Sequence, residues 1–212
     1  MEYHILDTET ASLQGGVCEI AWLVVDENLN VLSEFCTLVN PEREIEPGAQ
    51  AVHGISQADV EGKPTLAEVA VPVHSLIGHH CAFDMRMIKP HIVPVRSLCT
   101  LELSRLYVKG TTNHKLETLQ RELGLPEQKS HSALGDVHTT RDLLAHIIPM
   151  TGTDLETLFA RAAEPKMVTR MPFGVHKGRL MTQVPRPYRE WLLNSANPEP
   201  NLKYTLEKLR NI

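Results

Sequence analysis

The sequence predicts an α/β protein: a mixed central sheet of a three-strand antiparallel meander plus two short parallel strands, flanked by helices and followed by a small C-terminal module. Three apolar, β-branched segments crowd into the first 39 residues with only turn formers between them. From residue 65 to 148 the apolar spacing becomes helical, interrupted by short apolar stretches. Charge then sets off the tail. Residues 1–163 carry 12 Lys/Arg against 22 Asp/Glu, net −10, whereas residues 164–212 carry 9 against 4, net +5. This asymmetry suggests an acidic body and a basic appendage, the alternative being a tail with no more than a solvated basic face.

Residues 3–6, 17–25 and 31–39 read as consecutive strands broken by Gly15-Gly16 and by Asp26-Glu27-Asn28, links short enough to favour antiparallel pairing. Beyond Pro41 to Pro47, residues 65–76, 83–92, 100–106, 115–123 and 133–148 have helical spacing, and the stretches near 76–77 and 95–97 supply two further strands. One domain ends near residue 163, and Ala163-Glu164-Pro165-Lys166 reads as a linker to a module spanning 164–212. Three prolines and two glycines fall within 171–191 of that module, and a helix is expected over 201–210. No run approaches the roughly 18 apolar residues of a membrane span, and the start Met1-Glu2-Tyr3-His4 lacks a secretory signal, so the expectation is a cytoplasmic protein without a membrane partner. Cys18, Cys36, Cys81 and Cys99 form no C-x-x-C pair, which suits reduced, partly buried thiols.

Three acidic motifs carry the chemistry. Leu6-Asp7-Thr8-Glu9-Thr10 closes the first strand, and period-two alternation puts Asp7 and Glu9 on one face, where they can share a hard divalent cation or simply mark a solvated strand exit. Asp84, in His79-His80-Cys81-Ala82-Phe83-Asp84, falls where an apolar stretch gives way to a helix and would equally serve as a helix-start charge. His131 precedes a long helix whose first turns hold Asp136; a loop histidine with a helix-start acid is the plain alternative. A zinc hydrolase built from His79, His80 and His131 lacks diagnostic ligand spacing.

Taken together, the acidic pair, the mid-chain Asp and the His-x4-Asp resemble the DEDDh exonucleases of the DnaQ-like, ribonuclease-H-like group. Leu13, Val52-His53-Gly54-Ile55 and Cys99-Thr100-Leu101 are similar to lesser features of that family, and the likeness covers about residues 3–150. Leu13-Gln14-Gly15-Gly16 running into Glu19-Ile20-Ala21, with Phe173 to Arg179, Pro187-Tyr188 and Trp191-Leu192 in the tail, resembles the exonuclease-X branch. One departure stands out: His79-His80 occupies the place of the usual His-Asn.

The resemblance implies a ribonuclease-H-like fold and a 3′-to-5′ exodeoxyribonuclease that releases nucleoside monophosphates by two-metal hydrolysis in DNA repair or end processing. It implies Mg²⁺ or Mn²⁺ as the two ions, held by Asp7, Glu9, Asp84 and Asp136, with His131 as general base. DNA 3′ ends, single-stranded or duplex, are the expected partner, with RNA also possible. Contacts to substrate are expected from Thr8, Leu13, Gln14, His80, Phe83, Lys177 and Arg179. Leu13 would act as a wedge against the last base or as a small core plug, and Phe83 would stack on a base or pack under the sheet. In the tail, the aromatics are expected mostly inside, with Lys177, Arg179 and Arg186 facing nucleic acid. Rival readings are a proofreading or RNA-trimming enzyme of the same fold and a catalytically silent nucleic-acid-binding module.

Overall fold

The structure is a computed structural model that describes residues 1–89, 91–195 and 198–210. The chain divides into two compact units, Met1–Ala162 and Ala163–Ile212. The first is built on a five-stranded sheet of β1 (Tyr3–Ser12), β2 (Gly15–Val25), β3 (Val31–Leu38), β4 (Ser75–Gly78) and β5 (Arg96–Cys99), in the order β3-β2-β1-β4-β5. β1 and β2 pair antiparallel, as do β2 and β3, while β4 lies parallel to β1 and β5 parallel to β4. The ribonuclease-H-like arrangement expected from the sequence is therefore present.

Both faces of the central strands are covered, which is why β2 reads as a nearly unbroken apolar run from Ile20 to Val25 and the first half of β1 is largely apolar. On one face Tyr3, Ile5, Leu23 and Val25 pack with Val137, Leu143, Leu144 and Ile147 of the long helix α7 (Ala133–Thr151) and with Phe159 of α8 (Leu155–Ala163). On the other, Leu6, Ile20, Trp22 and Leu76 pack with Met87 and Ile88 of α4 (Cys81–Ile88). Each fully buried Leu or Ile contributes about 1.5–3 kcal/mol relative to exposure, so this sandwich fixes the strands that carry the acidic residues. β3 is an edge strand, and its Val31 and Leu32 remain exposed.

Several boundaries differ from the sequence reading. β1 runs on to Ser12, so Asp7 and Glu9 lie within the strand and the alternative of a solvated strand exit falls away. The helix expected over 65–76 shrinks to α3 (Leu66–Val69), because Pro72 follows and β4 claims the residues from Ser75 onward. Pro90, inside the helix expected over 83–92, lies outside the described residues. The remaining helices of this unit are α5 (Thr100–Tyr107) and α6 (Leu116–Glu122), together with α1 (Pro47–His53) and α2 (Gln57–Val60), which were not expected, nor was α8. The four thiols are free, but Cys36 is exposed where partial burial was expected. Among the described residues, no helix is long and apolar enough to cross a membrane.

The second unit holds an antiparallel bridge between Arg170 and Leu180, short 3-10 turns at Gly174–His176 and Met181–Gln183, and helices α9 (Arg186–Ser195) and α10 (Pro200–Lys208). Its core is aliphatic and sulfur-rich: Met171, Met181, Val184, Leu192, Leu202, Leu206 and Leu209. Phe173 and Trp191, expected mostly inside, are 47% and 55% exposed, and Tyr188 is half-buried. Helix α9 went unseen in the sequence because prolines crowd its start. Pro187 sits in the first turn, where the missing N–H has no helical partner to lose.

Candidate active site

The parallel strands β1, β4 and β5 end at the same edge of the sheet, the usual place for a ligand crevice in an α/β protein. β4 pairs with β1 through Ile5↔Ile77 and stops at Gly78, so β1 continues past its parallel neighbour from Asp7 onward. A register shift between Glu9 and Thr10 marks a bulge in β1 against β2, a device that re-aims side chains next to functional sites. Asp7 and Glu9 share one face of the strand, and α7 crosses that face.

Helix α7 completes a cluster that is scattered in sequence. Ligand atoms of Glu9, His131 and Asp136 lie within 4.8 Å of one another. Asp7 joins them electrostatically: burial, then Asp84, Asp136 and Glu9, push its carboxyl well above the usual range. Burial and neighbouring carboxylates push Glu9 up to about 8, and burial raises Asp136 to about 6. Asp84, 3% exposed in the first turn of α4, is raised by burial to about 7 against the opposing pull of its hydrogen bonds. Four carboxyls raised by burial, Asp7 and Glu9 also by their acidic neighbours, form a site short of positive charge, and oxygen donors with one imidazole suit a hard divalent cation. Among the described residues this is the only such group, and His79 and His80 take no part in it, so the zinc alternative is not assembled.

The surroundings explain how the cluster is held. Thr8 points to the opposite face, is 6% exposed, and donates its hydroxyl to Asp84 at 2.9 Å. Its single proton aims Asp84, so the side chain expected to meet substrate also positions a carboxyl of the cluster. Glu19, directly opposite Glu9 across β1 and β2, accepts a 2.7 Å hydrogen bond from the Ala133 N–H at the start of α7. Facing like charges are costly on a sheet, and Glu19 finds its counter-dipole at a helix N-terminus. Gly135 lets the segment that leads into α7 fold back against the helix's first turn, since a Cβ there would lie 2.0 Å from the Lys129 carbonyl oxygen. Sequence reading passed over Glu19 and Gly135 as anchors, although cross-strand pairing of Glu9 with Glu19 was the available signal for the former.

Two histidines flank the cleft in left-handed backbone conformations, His80 at φ 80 and His131 at φ 58. Such strain in non-glycine residues concentrates at functional sites, and Asn and His are the side chains enriched there, which accounts physically for His80 standing where the resembled family has Asn. His131 Nε2 lies 3.5 Å from Glu117, a carboxylate able to orient the ring. His79 is a clamp: its ring nitrogens meet the Thr100 hydroxyl at 3.0 Å and the His114 carbonyl at 2.9 Å, and burial lowers its pKa to about 4. A cleft of about 610 Å³ opens beside His131 and Asp136, walled by His80, Arg105, His114 and Lys115. That volume falls within the range of small-ligand sites.

At the rim, Leu13 is 72% exposed at the tip of the tight turn between β1 and β2, which excludes the core-plug alternative, and Arg86 of α4 donates to its carbonyl at 3.2 Å. Gln14 beside it is exposed. Phe83 is half-buried, packs partly against the core of that face, and carries the Arg86 guanidinium 5.4 Å over its ring. Lys177 and Arg179 are exposed on the second unit.

Comparison with known proteins bears on the family and the fold. A family model described as "Exonuclease" matches residues 4–144, and one described as "Putative quorum-sensing-regulated virulence factor" matches residues 164–212. Exodeoxyribonuclease 10 of Escherichia coli is 30% identical over 214 residues, covering 96% of each chain. The solved structure of exonuclease X in complex with 5′ overhanging duplex DNA superposes with a TM-score of 0.67 at 30% identity, over 76% of this chain and 99% of that one. E. coli exonuclease I bound to a dA16 oligonucleotide, at 17% identity and a TM-score of 0.59, shares the fold over 76% of this chain and 42% of its own. With the family model spanning most of the chain and the E. coli relative spanning nearly all of it, this chain belongs to the exonuclease family, whose members work with divalent metals.

Proposed function

We propose that the chain is a 3′-to-5′ exodeoxyribonuclease acting in the cytoplasm in DNA repair or end processing, with catalysis in residues 1–163 and the basic module 164–212 as its appendage. The observation that carries this is the convergence of Glu9, His131 and Asp136 within 4.8 Å, backed by Asp7 and by a buried Asp84. That donor set fits Mg²⁺ or Mn²⁺, and we assign two ions to Asp7, Glu9, Asp84 and Asp136. Such ions supply an activated water and shield the charge that grows on the phosphoryl and leaving oxygens.

The protein's own groups do the rest. His131, at the mouth of the cluster, takes the proton from the attacking water, and Glu117 orients its ring. Thr8 and Glu19 act through Asp84 and α7 respectively, keeping the acidic groups where the phosphate must pass. Leu13, held through its carbonyl by Arg86, presents an apolar tip to the terminal base while Gln14 bonds a base edge. His80 and the open side of Phe83 line the path of the strand.

End-labelled oligonucleotides, single-stranded and duplex, DNA and RNA, incubated with Mg²⁺ or Mn²⁺ test the reading. Stepwise release of mononucleotides from DNA 3′ ends, abolished in Asp7→Ala, is the expected result. Internal cleavage, or no release with either metal, overturns it. Faster digestion of RNA would replace the deoxyribonuclease assignment with RNA trimming by the same residues.

A further inference from the structure

The second unit buries methionines and leucines while leaving its largest aromatic rings outside, the reverse of how a small core is usually filled. Its residues 171–179 form a closed loop: Met171 N–H donates to the Arg179 carbonyl at 2.8 Å, and Gly178 N–H donates to the Met171 carbonyl at 2.8 Å. Arg170 adds a bond to the Gly178 carbonyl at 2.8 Å. The loop is seated on α9 through Gly174, at φ 70, where a Cβ would come 2.6 Å from the Tyr188 hydroxyl. The His176 ring stands edge-on to Tyr188 at 4.6 Å, and Tyr188 meets Trp191 at 5.4 Å. These contacts hold the loop firmly while Phe173 stays 47% and Trp191 55% exposed. Lys177 and Arg179 are exposed on the same loop.

We propose that this face of the C-terminal unit is a binding site for single-stranded DNA, with bases stacking on Phe173 and Trp191 and phosphates meeting Lys177 and Arg179. Charge selects the polymer, because this segment is net +5 on a chain whose remainder is net −10 and would otherwise repel a polyanion. Rings select the strand state, because an unpaired base offers a π-face that a duplex hides within its stack. A protein-docking face would instead be depleted in Lys at its centre. The choice of DNA rests on the nuclease reading; the stacking surface does not.

The test uses the full chain carrying Asp7→Asn to prevent cleavage, titrated with a short single-stranded DNA, the same sequence as RNA, and a blunt DNA duplex. Trp22 is 6% exposed, so tryptophan quenching by the oligonucleotide reports on Trp191. We expect quenching that is lost in Trp191→Phe, with that variant keeping most of its affinity. Trp191→Ala and Phe173→Ala should each weaken binding about tenfold. The double variant Lys177→Ala/Arg179→Ala should lower the log–log salt slope by about 1.4, roughly 0.7 per phosphate contact. Unchanged affinity and slope, or absence of quenching, overturns the site. Equal losses on blunt duplex overturn the stacking, and tighter RNA binding overturns the choice of DNA. Because Trp191→Ala could disturb the unit, circular dichroism and the Trp191→Phe result keep the outcome readable. Magnesium-dependent hydrolysis of thymidine 5′-monophosphate p-nitrophenyl ester by the unmodified chain, measured separately, reports on the nuclease reading alone.

Discussion

In residues 1–162 the carboxyls are held in place by the sheet and its helices: Asp84 is 3% exposed, and Asp7 and Glu9 sit within a strand covered by α7. In residues 163–212 the candidate contacts stand outside, Trp191 on α9 and the other three on a loop held by backbone hydrogen bonds and one glycine-to-tyrosine seat. The contrast follows from what each must recognise. Focusing charge on a phosphorus atom needs donors fixed to fractions of an ångström in low dielectric. Holding a flexible polymer needs area and mobile cations. Variants in the two units should therefore fail differently, in turnover for the first and in salt-dependent affinity for the second.

The largest effect belongs to the carboxylates. Asp7→Asn or Asp136→Asn should lower turnover by about 10⁴-fold or more, because each removes a charge from the ion site while leaving its shape. Binding of single-stranded DNA, measured by titration, should change little; a parallel collapse of affinity would mean that the two units do not divide the work. Next, His131→Ala should slow hydrolysis by about 10²–10⁴-fold, the range for a lost general base. Calorimetric titration with Mn²⁺ should show affinity retained, and a loss there would make His131 a ligand.

Glu19 ranks below these because it acts through α7. Glu19→Ala should lower turnover by about 10–100-fold, as for other outer partners of metal sites, by freeing the Ala133 N–H and letting the start of α7 shift. Glu19→Asp should recover part of the loss, whereas Glu19→Ala at wild-type turnover would mean that α7 keeps its place without this bond.

How much of this could be read beforehand depended on the kind of signal. Each acid taken alone had a plain alternative, a solvated strand exit for Asp7 and Glu9 and a helix-start charge for Asp84 and Asp136, so the site was legible through their joint order and the family that this order resembles. The meander and its two parallel neighbours followed from apolar runs and turn formers. Glu19, Glu117 and Arg86 were missed because each acts on a residue far away in sequence, Glu19 across 114 positions and Arg86 across 73. The bond from the Thr8 hydroxyl to Asp84 was not visible either, since no sequence pattern links residues 76 positions apart. α1 and α2 span 7 and 4 residues, too few for helical periodicity to emerge. In the tail, ring-rich composition argued for an aromatic core, and only packing reveals that Met171, Met181 and Leu192 took that place.

The cluster also sets how stability depends on pH when no divalent ion is present. Asp7, Glu9, Asp84 and Asp136 have folded pKa values above their unfolded ones, so their stabilising contribution is complete below about pH 4 and is lost as pH rises through the folded values, about 6 for Asp136, about 7 for Asp84 and about 8 for Glu9. In EDTA the melting temperature should therefore fall by several degrees between pH 5 and pH 8, about 1 kcal/mol being worth roughly 2–4 °C at this size. Mg²⁺ should restore it, and Asp7→Asn should blunt the fall. A flat EDTA profile would place these carboxyls in water.

The smallest effect comes from a carboxylate of the same unit with the opposite sign. Glu156 of α8 accepts from Arg96 through both oxygens at 2.7 Å and from the Tyr3 hydroxyl, tying α8 to β5 and β1. These bonds, Arg96 first, lower its pKa to about 2, below the unfolded value, so its contribution is present above about pH 4.5 and is lost as pH falls toward 2. At 44% exposure, solvent screening should keep the pair worth no more than about 1 kcal/mol. Glu156→Gln should thus melt about 2–4 °C below wild type at pH 7. As pH drops from 4.5 toward 2 the gap should close, whereas a gap that persists would assign the loss to packing against Phe159, over which the Arg96 guanidinium lies at 4.5 Å. With Mg²⁺ at pH 7 the gap should be unchanged, because the ion answers the raised carboxyls of the cleft and has no bearing on a carboxylate already matched by its own arginine.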